Sequence, residues 1–294
     1  MGKHQTRDLI NDDASDLCAS HPIGCVTQSM DQPGMQLALA GNYTRSVEAS
    51  LDRIWENVFD WEHLAHLHES SFASCKLIEA NPSGFRVALA LKGGQASQII
   101  ELRADRAAGR YISTTLAGAG EGTEIRVMLT PLAPHLTDVR VEFHLPEPDE
   151  ARLASLGQAY IAIYAQLWDE DEAMMRHREA ALARPGKTVS IGASIDLGSE
   201  AAVRDGLPLS FELDTVPFQV VELDGALVAH TTVCPHWLGP LSQEPGQPDV
   251  VRCPWHGFRF DLRTRRCLSE PALRLASPPT IAVVEGRVLA ERKG

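Results

Sequence analysis

CPHWLGPLSQEPGQPDVVRCPWHGFRFDLRTRRC, residues 234–267, holds two short knuckles, Cys234-Pro-His236 and Cys253-Pro-Trp-His256, with sixteen residues between them. Two thiolates and two imidazoles suit zinc or an iron-sulfur cluster, so the donor set alone leaves the metal open. The spacing narrows it. A zinc finger with these ligands keeps its cysteines together and its histidines together, whereas here each knuckle carries one of each. That mixture lets Cys234 and Cys253 hold one iron of a [2Fe-2S] pair while His236 and His256 hold the other.

The run closely resembles the cluster-binding segment of Rieske [2Fe-2S] domains. Rieske domains of respiratory complexes add a cysteine to each knuckle and join the two as a disulfide. Those places are not cysteine here and Trp255 sits inside the second knuckle, so the resemblance is to the oxygenase and ferredoxin type. Histidine ligation raises the reduction potential above that of an all-thiolate cluster and couples it to imidazole protonation.

The chain has 294 residues, enough for two domains with separate cores. Its net charge of −12 argues against a nucleic-acid backbone as partner, and about −10 of it lies in the first 186 residues. No apolar run has the length of a membrane span and no signal-peptide pattern opens the sequence, which reads as a cytoplasmic protein. Cys18, Cys25, Cys75 and Cys267 show no framework spacing and read as reduced thiols. Residues 1–34 read as a polar arm, in which Gly2 and Thr6 match a short myristoylation pattern and Cys18 and His21 could meet a neighbouring chain.

Between the arm and residue 184 the pattern predicts one strand from about Met35, a short helical stretch to Phe59, six β-like runs between Cys75 and His144, and a long helix from Glu147 to Leu182. Periodicity alone gives an α+β domain. The element order resembles the helix-grip (START-like) fold, an antiparallel sheet curved around a long C-terminal helix and an apolar cavity. Arg184-Pro185-Gly186 stops the helix and marks the boundary of an all-β second domain, residues 185–294. In it, short strands around Leu207–Leu213, Phe218–Leu223 and Ala226–Thr231 lead into the first knuckle, with Asp224-Gly225 as a hairpin turn.

The first domain carries Asp60-x-x-His63-x-x-x-x-His68. On a helix Asp60 and His63 lie about 60° apart and can touch, but His63 and His68 lie about 140° apart, so the segment must bend near Ala65 for both imidazoles to reach one ion. Two histidines and one carboxylate are the facial set of a mononuclear Fe(II) site that activates O₂. On the long helix Leu153, Tyr160, Tyr164, Leu167 and Met175 fall within about 40° of Asp171 and Asp169 about 160° away, which points Asp171 inward. A carboxylate in an apolar cavity calls for a partner, and a metal ion supplies it. Tyr160, Tyr164, Trp168, Met174 and Met175 read as core or cavity wall, His66 as a surface or supporting histidine, and Arg259, Arg263, Arg265 and Arg266 as an exposed basic hairpin.

These stretches are similar to the catalytic domain of Rieske non-haem iron oxygenases. The resemblance implies His63, His68 and Asp171 as iron ligands and Asp60 as the bridge between a ligand histidine and a Rieske histidine, in that family usually of a neighbouring subunit of a trimer. It further implies a homo-oligomer, a ferredoxin or flavin reductase as electron donor, and O₂ with a small apolar or aromatic substrate, which is hydroxylated or demethylated. The domain order departs from the family, since the Rieske segment comes last. The competing reading is a non-catalytic Rieske electron carrier fused to a helix-grip domain that only holds an apolar ligand.

Overall fold

The computed structural model describes residues 37–94, 96–184 and 192–292. The expectations for the polar arm, including Gly2, Thr6, Cys18, His21 and Cys25, lie outside the described residues.

The chain enters through strand β1 (Ala38–Val47) and helix α1 (Leu51–Phe59). Ser50 caps α1 by accepting the Arg53 N–H at 3.3 Å, and Asp52 lies in its first turn, where acids oppose the helix dipole. The helix stops at Asp60, whose backbone leaves the helical region, and a 3-10 turn (Glu62–Ala65) follows. The expected bend is therefore a helix end and a new turn rather than a kink in one helix. Six strands succeed it: β2 (Phe72–Asn81), β3 (Gly84–Leu91), β4 (Ser97–Asp105), β5 (Arg110–Gly118), β6 (Glu124–Ala133) and β7 (Leu136–Leu145). With β1 they make one antiparallel sheet in the order β1-β7-β6-β5-β4-β3-β2.

Helix α2 (Glu150–Ala183) is capped by Asp149, which accepts the Arg152 N–H at 2.7 Å. Its one glycine has a packing reason. A Cβ on Gly157 would stand 2.0 Å from the Ala40 carbonyl oxygen, so α2 crosses β1 backbone to backbone. The remaining helix grips the sheet through a core that includes Val87, Val139, Phe143, Trp168 and Met175. This is the helix-grip arrangement, an antiparallel sheet closed by one long helix.

The second part is all-β apart from α3 (Glu200–Asp205), in three small antiparallel sheets. Strands β9 (Leu209–Leu213), β10 (Val216–Leu223) and β11 (Ala226–Thr231) form the first, β12 (Ser242–Glu244), β13 (Gln247–Arg252) and β14 (Arg259–Asp261) the second, and β8 (Ser194–Ser199), β15 (Thr280–Val284) and β16 (Arg287–Glu291) the third. The β10–β11 turn falls on Asp224-Gly225, both with positive φ as a tight hairpin requires. Met174, expected as core or cavity wall, is buried in a core that it shares with Cys234, Cys253, Trp255 and Phe260. Two of the four arginines of the basic hairpin meet carboxylates, Arg263 with Asp224 and Asp249 and Arg259 with Glu244, while Arg265 donates to the Ser277 hydroxyl.

Candidate metal centres

The two knuckles are built alike. In each the cysteine N–H donates to the carbonyl five residues on, Cys234 to Gly239 and Cys253 to Phe258, both at 2.8 Å. The residue four positions on returns its N–H to the cysteine carbonyl, Leu238 at 3.1 Å and Gly257 at 3.0 Å, and both have φ of +66°. Each knuckle thus folds over its own cysteine. Cys234 and Cys253 are fully buried, and the rings of His236 and His256 stand 4.6 Å apart, edge to face. The Nδ1 atoms of both histidines are buried with no hydrogen-bond partner. Two buried thiols and two orphaned imidazole nitrogens are the donors that a [2Fe-2S] cluster of this type needs, so the residues fit the group. Hydrogen bonding from Cys234 lowers the Cys253 thiol pKa, against the opposing effect of burial.

His256 turns its other nitrogen toward the first domain. Its Nε2 lies 2.7 Å from Asp60 Oδ2, and the same oxygen lies 3.3 Å from Nδ1 of His63. The contact with His63 falls short of hydrogen-bond geometry and is an electrostatic one. Asp60 Oδ1 accepts the Glu62 N–H at 3.2 Å, which fixes the carboxylate where α1 ends. Burial raises the Asp60 pKa, but His256 and His63 outweigh it and hold the carboxyl well below the usual range. For His256, burial lowers the pKa, yet Asp60 and then Cys253 bring it up to about 9 in the metal-free chain.

His63, His68 and Asp171 converge on the far side of Asp60. Their donor atoms lie within 4.8 Å of one another, with Asp171 Oδ1 3.4 Å from His63 Nε2 and 3.2 Å from His68 Nε2. Ligands at about 2.1 Å from one ion, set about 90–110° apart, stand about 3.0–3.4 Å from each other. The triad fits a single divalent cation on that test. Burial raises the Asp171 pKa, and hydrogen bonding and charge from His68, the charge of His63 and a bond from Asn57 override it to a net fall.

Two supporting groups escaped the sequence reading. Asn57 donates Nδ2 to Asp171 Oδ1 at 2.9 Å in a buried contact, and it opens the stretch that carries Asp60. Glu170 Oε2 meets His68 Nδ1 at 2.6 Å, a contact that the residue's place beside Asp171 does not announce. Each iron-ligand candidate histidine thus backs onto a carboxylate, the arrangement that fixes tautomer and ring angle at metal sites. His66, half-buried, lies over Gly257: a Cβ there would stand 2.4 Å from its ring. Asp169 points outward as expected, 70% exposed and paired with Arg45, while Glu172 is buried against Arg45 and the Glu48 N–H.

Helix α2 packs against both sets of candidate ligands. Within three turns it presents Asp171 to the triad, Met174 to the cluster knuckles, His177 edge-on to Trp255 at 5.4 Å, and Arg178 to Trp237. The Arg178 guanidinium donates to the Trp237 carbonyl at 3.0 Å and to Glu56 at 2.9 Å.

The Rieske [2Fe-2S] domain family matches residues 194–279, which include both knuckles. The second domain is a Rieske domain. Among solved structures the chain is similar to ZhuI aromatase/cyclase from Streptomyces sp. R1128 at 12% identity, covering 50% of this chain and 99% of that one with a TM-score of 0.43. It is also similar to a START superfamily protein from Mycobacterium smegmatis at 19% identity, covering 46% and 95%, with a TM-score of 0.38. No curated protein sequence matches the chain. Among the described residues no helix is long and apolar enough to cross a membrane.

Proposed function

We propose that this chain is the oxygenase component of a Rieske non-haem iron oxygenase system, fed with electrons by a separate ferredoxin or flavin reductase. Cys234, His236, Cys253 and His256 would hold the [2Fe-2S] cluster, and His63, His68 and Asp171 would hold Fe(II). When bound, the cluster supplies electrons one at a time and the ferrous ion supplies O₂ reduction, the chemistry that hydroxylates or demethylates an unreactive carbon. One observation carries the reading. A single buried carboxylate, Asp60, touches a histidine of each set.

The side chains of this chain hold and orient. Asp60 accepts the His256 Nε2–H, which leaves Nδ1 of that ring for the cluster. Asn57 and Glu170 fix Asp171 and His68. Beyond the triad, a cavity of about 590 Å³ runs between α2 and the sheet, walled by side chains such as Phe85, Leu89, Leu102 and Trp168 that exclude water from a bound substrate.

The cavity alone would equally suit an electron carrier fused to a ligand-binding domain. Metal analysis separates the two. The oxygenase binds roughly three irons and two sulfides per chain, and Asp171→Ala removes one iron while leaving the sulfide content unchanged. Two irons and two sulfides in the unaltered protein would leave only the carrier.

A further inference from the structure

The cavity beyond His63, His68 and Asp171 is walled mainly by apolar side chains, with Ser70, Ser71, Lys92 and Gln98 among its polar lining and a row of hydroxyls on one strand. Strand β5 places Tyr111, Ser113 and Thr115 at alternate positions, hence on one face, and all three line the cavity. The neighbouring strands turn Ile100 and Leu102, and Ile125, into the same space. Across from β5, α2 presents Tyr160 and Tyr164, one turn apart. Aromatic contacts hold these rings: Phe143 stacks on Tyr160 at 5.5 Å and meets Tyr164 edge-on at 5.0 Å, while Trp55 meets Tyr111 at 6.3 Å.

Among the described residues no side-chain or backbone group hydrogen-bonds to the hydroxyls of Tyr111, Ser113, Thr115 or Tyr164. Among the described residues none of these four oxygens is a sealed atom without a partner, so each opens onto the cavity and is free to meet a bound molecule. Burial, the neighbouring tyrosine and Asp171 all raise the Tyr111 phenol, and the same kinds of influence raise Tyr164, so both stay protonated donors. The charges around the cavity are one-sided. Asp60 and Asp171 lie at the triad end, and Lys92, the lining cation, is exposed.

We infer that the cavity takes a neutral, mostly apolar molecule bearing a hydroxyl, ether or carbonyl oxygen, and that Tyr111 and Tyr164, with the β5 hydroxyls, select it by hydrogen-bonding that oxygen. This deepens the proposed function and rests on it only for the reaction that the bound molecule undergoes. A hydrocarbon leaves the hydroxyls unpaired and an anion finds no buried counter-charge, so both bind less tightly.

The test uses the metal-loaded full chain and three probes of one shape: 2-naphthol, naphthalene and 2-naphthoate, each titrated by competition with a fluorescent apolar dye. The expected result is 2-naphthol bound about tenfold or more tighter than either of the others. Tyr111→Phe and Tyr164→Phe each narrow the gap, and the double variant with Thr115→Val closes it while keeping naphthalene affinity. Equal affinities in the unaltered protein overturn the inference, as does a gap that survives in the single and combined variants. Binding needs no turnover, so the outcomes separate. A protein with the naphthol preference but no third iron loses the oxygenase reading and keeps this one, whereas product formation without any preference does the reverse.

Discussion

Asp60→Ala is the perturbation with the most to report, because that side chain does three things. Its Oδ2 makes a 2.7 Å charge-assisted contact with His256, its side chain is only 6% exposed, and its Oδ1 caps the turn after α1 through the Glu62 N–H. A hydrogen bond to a charged group contributes about 1.5–3 kcal/mol, and a cap about 1 kcal/mol. With a smaller share from the 3.3 Å contact to His63, the loss comes to about 3–5 kcal/mol. For a folded body of this size each kcal/mol moves the melting temperature by about 2–4 °C, so calorimetry of the holoprotein should show a fall of about 10 °C. Asp60→Asn keeps the shape and the capping oxygen and loses the charge, and should recover roughly half of that drop. If Asp60 also joins the two centres, both variants retain about three irons per chain while transfer of an electron from the reduced cluster slows by at least tenfold in a stopped-flow trace. Unchanged melting together with unchanged transfer would refute the assignment.

Other outcomes come from the same geometry. In the metal-free chain Asp60 has a lowered pKa, so its contribution is present above about pH 4 and fades as pH falls toward the folded value, while His256 has a raised pKa, so its contribution is complete below about pH 6.5 and is lost as pH rises through about 9. The stability gap between the unaltered chain and Asp60→Ala, read by urea melts, is therefore widest near pH 5 and narrows by pH 10. Glu170→Ala should weaken Fe(II) binding by about 10–100-fold in a chelator competition, with Glu170→Gln restoring part of it, because His68 loses the group that fixes its ring. Gly257→Ala should destabilise by more than the roughly 1 kcal/mol of its positive φ, since the added methyl meets the His66 ring, and adding His66→Ala should return only the steric part. Arg178→Ala removes a hydrogen bond to Trp237, a ring contact at 4.5 Å and the link to Glu56, and should lower stability by about 1–3 kcal/mol in a denaturant titration.

What could be read from the sequence was local chemistry with a fixed period. The knuckles announce their donors, the apolar stripe of α2 turns Asp171 inward, and the 140° conflict between His63 and His68 requires the helix to end. The order of the sheet strands comes from hairpins, each strand lying beside its successor apart from β1. The unread features are contacts between distant segments. Nothing in the sequence around Met174 says that it faces cluster knuckles 60 and more residues away while Met175 beside it faces the first core. The left-handed backbone at Leu238 is equally silent, because the side chain gives no sign of the φ that glycine has at the matching place in the second knuckle. Glu170 and Asn57 were visible as residues but their partners were not. Short strands such as β12 and β14, three residues each, carry too little alternation to register.

The contact between Asp60 and His256 joins residues 196 positions apart in one chain. Their meeting is thus a unimolecular event, with a loop-closure entropy settled once during folding and growing only slowly with loop length. A bridge assembled from two separate chains would dissolve when the protein is diluted below its dissociation constant, whereas this one keeps the same effective concentration in a nanomolar solution as in a crowded cell.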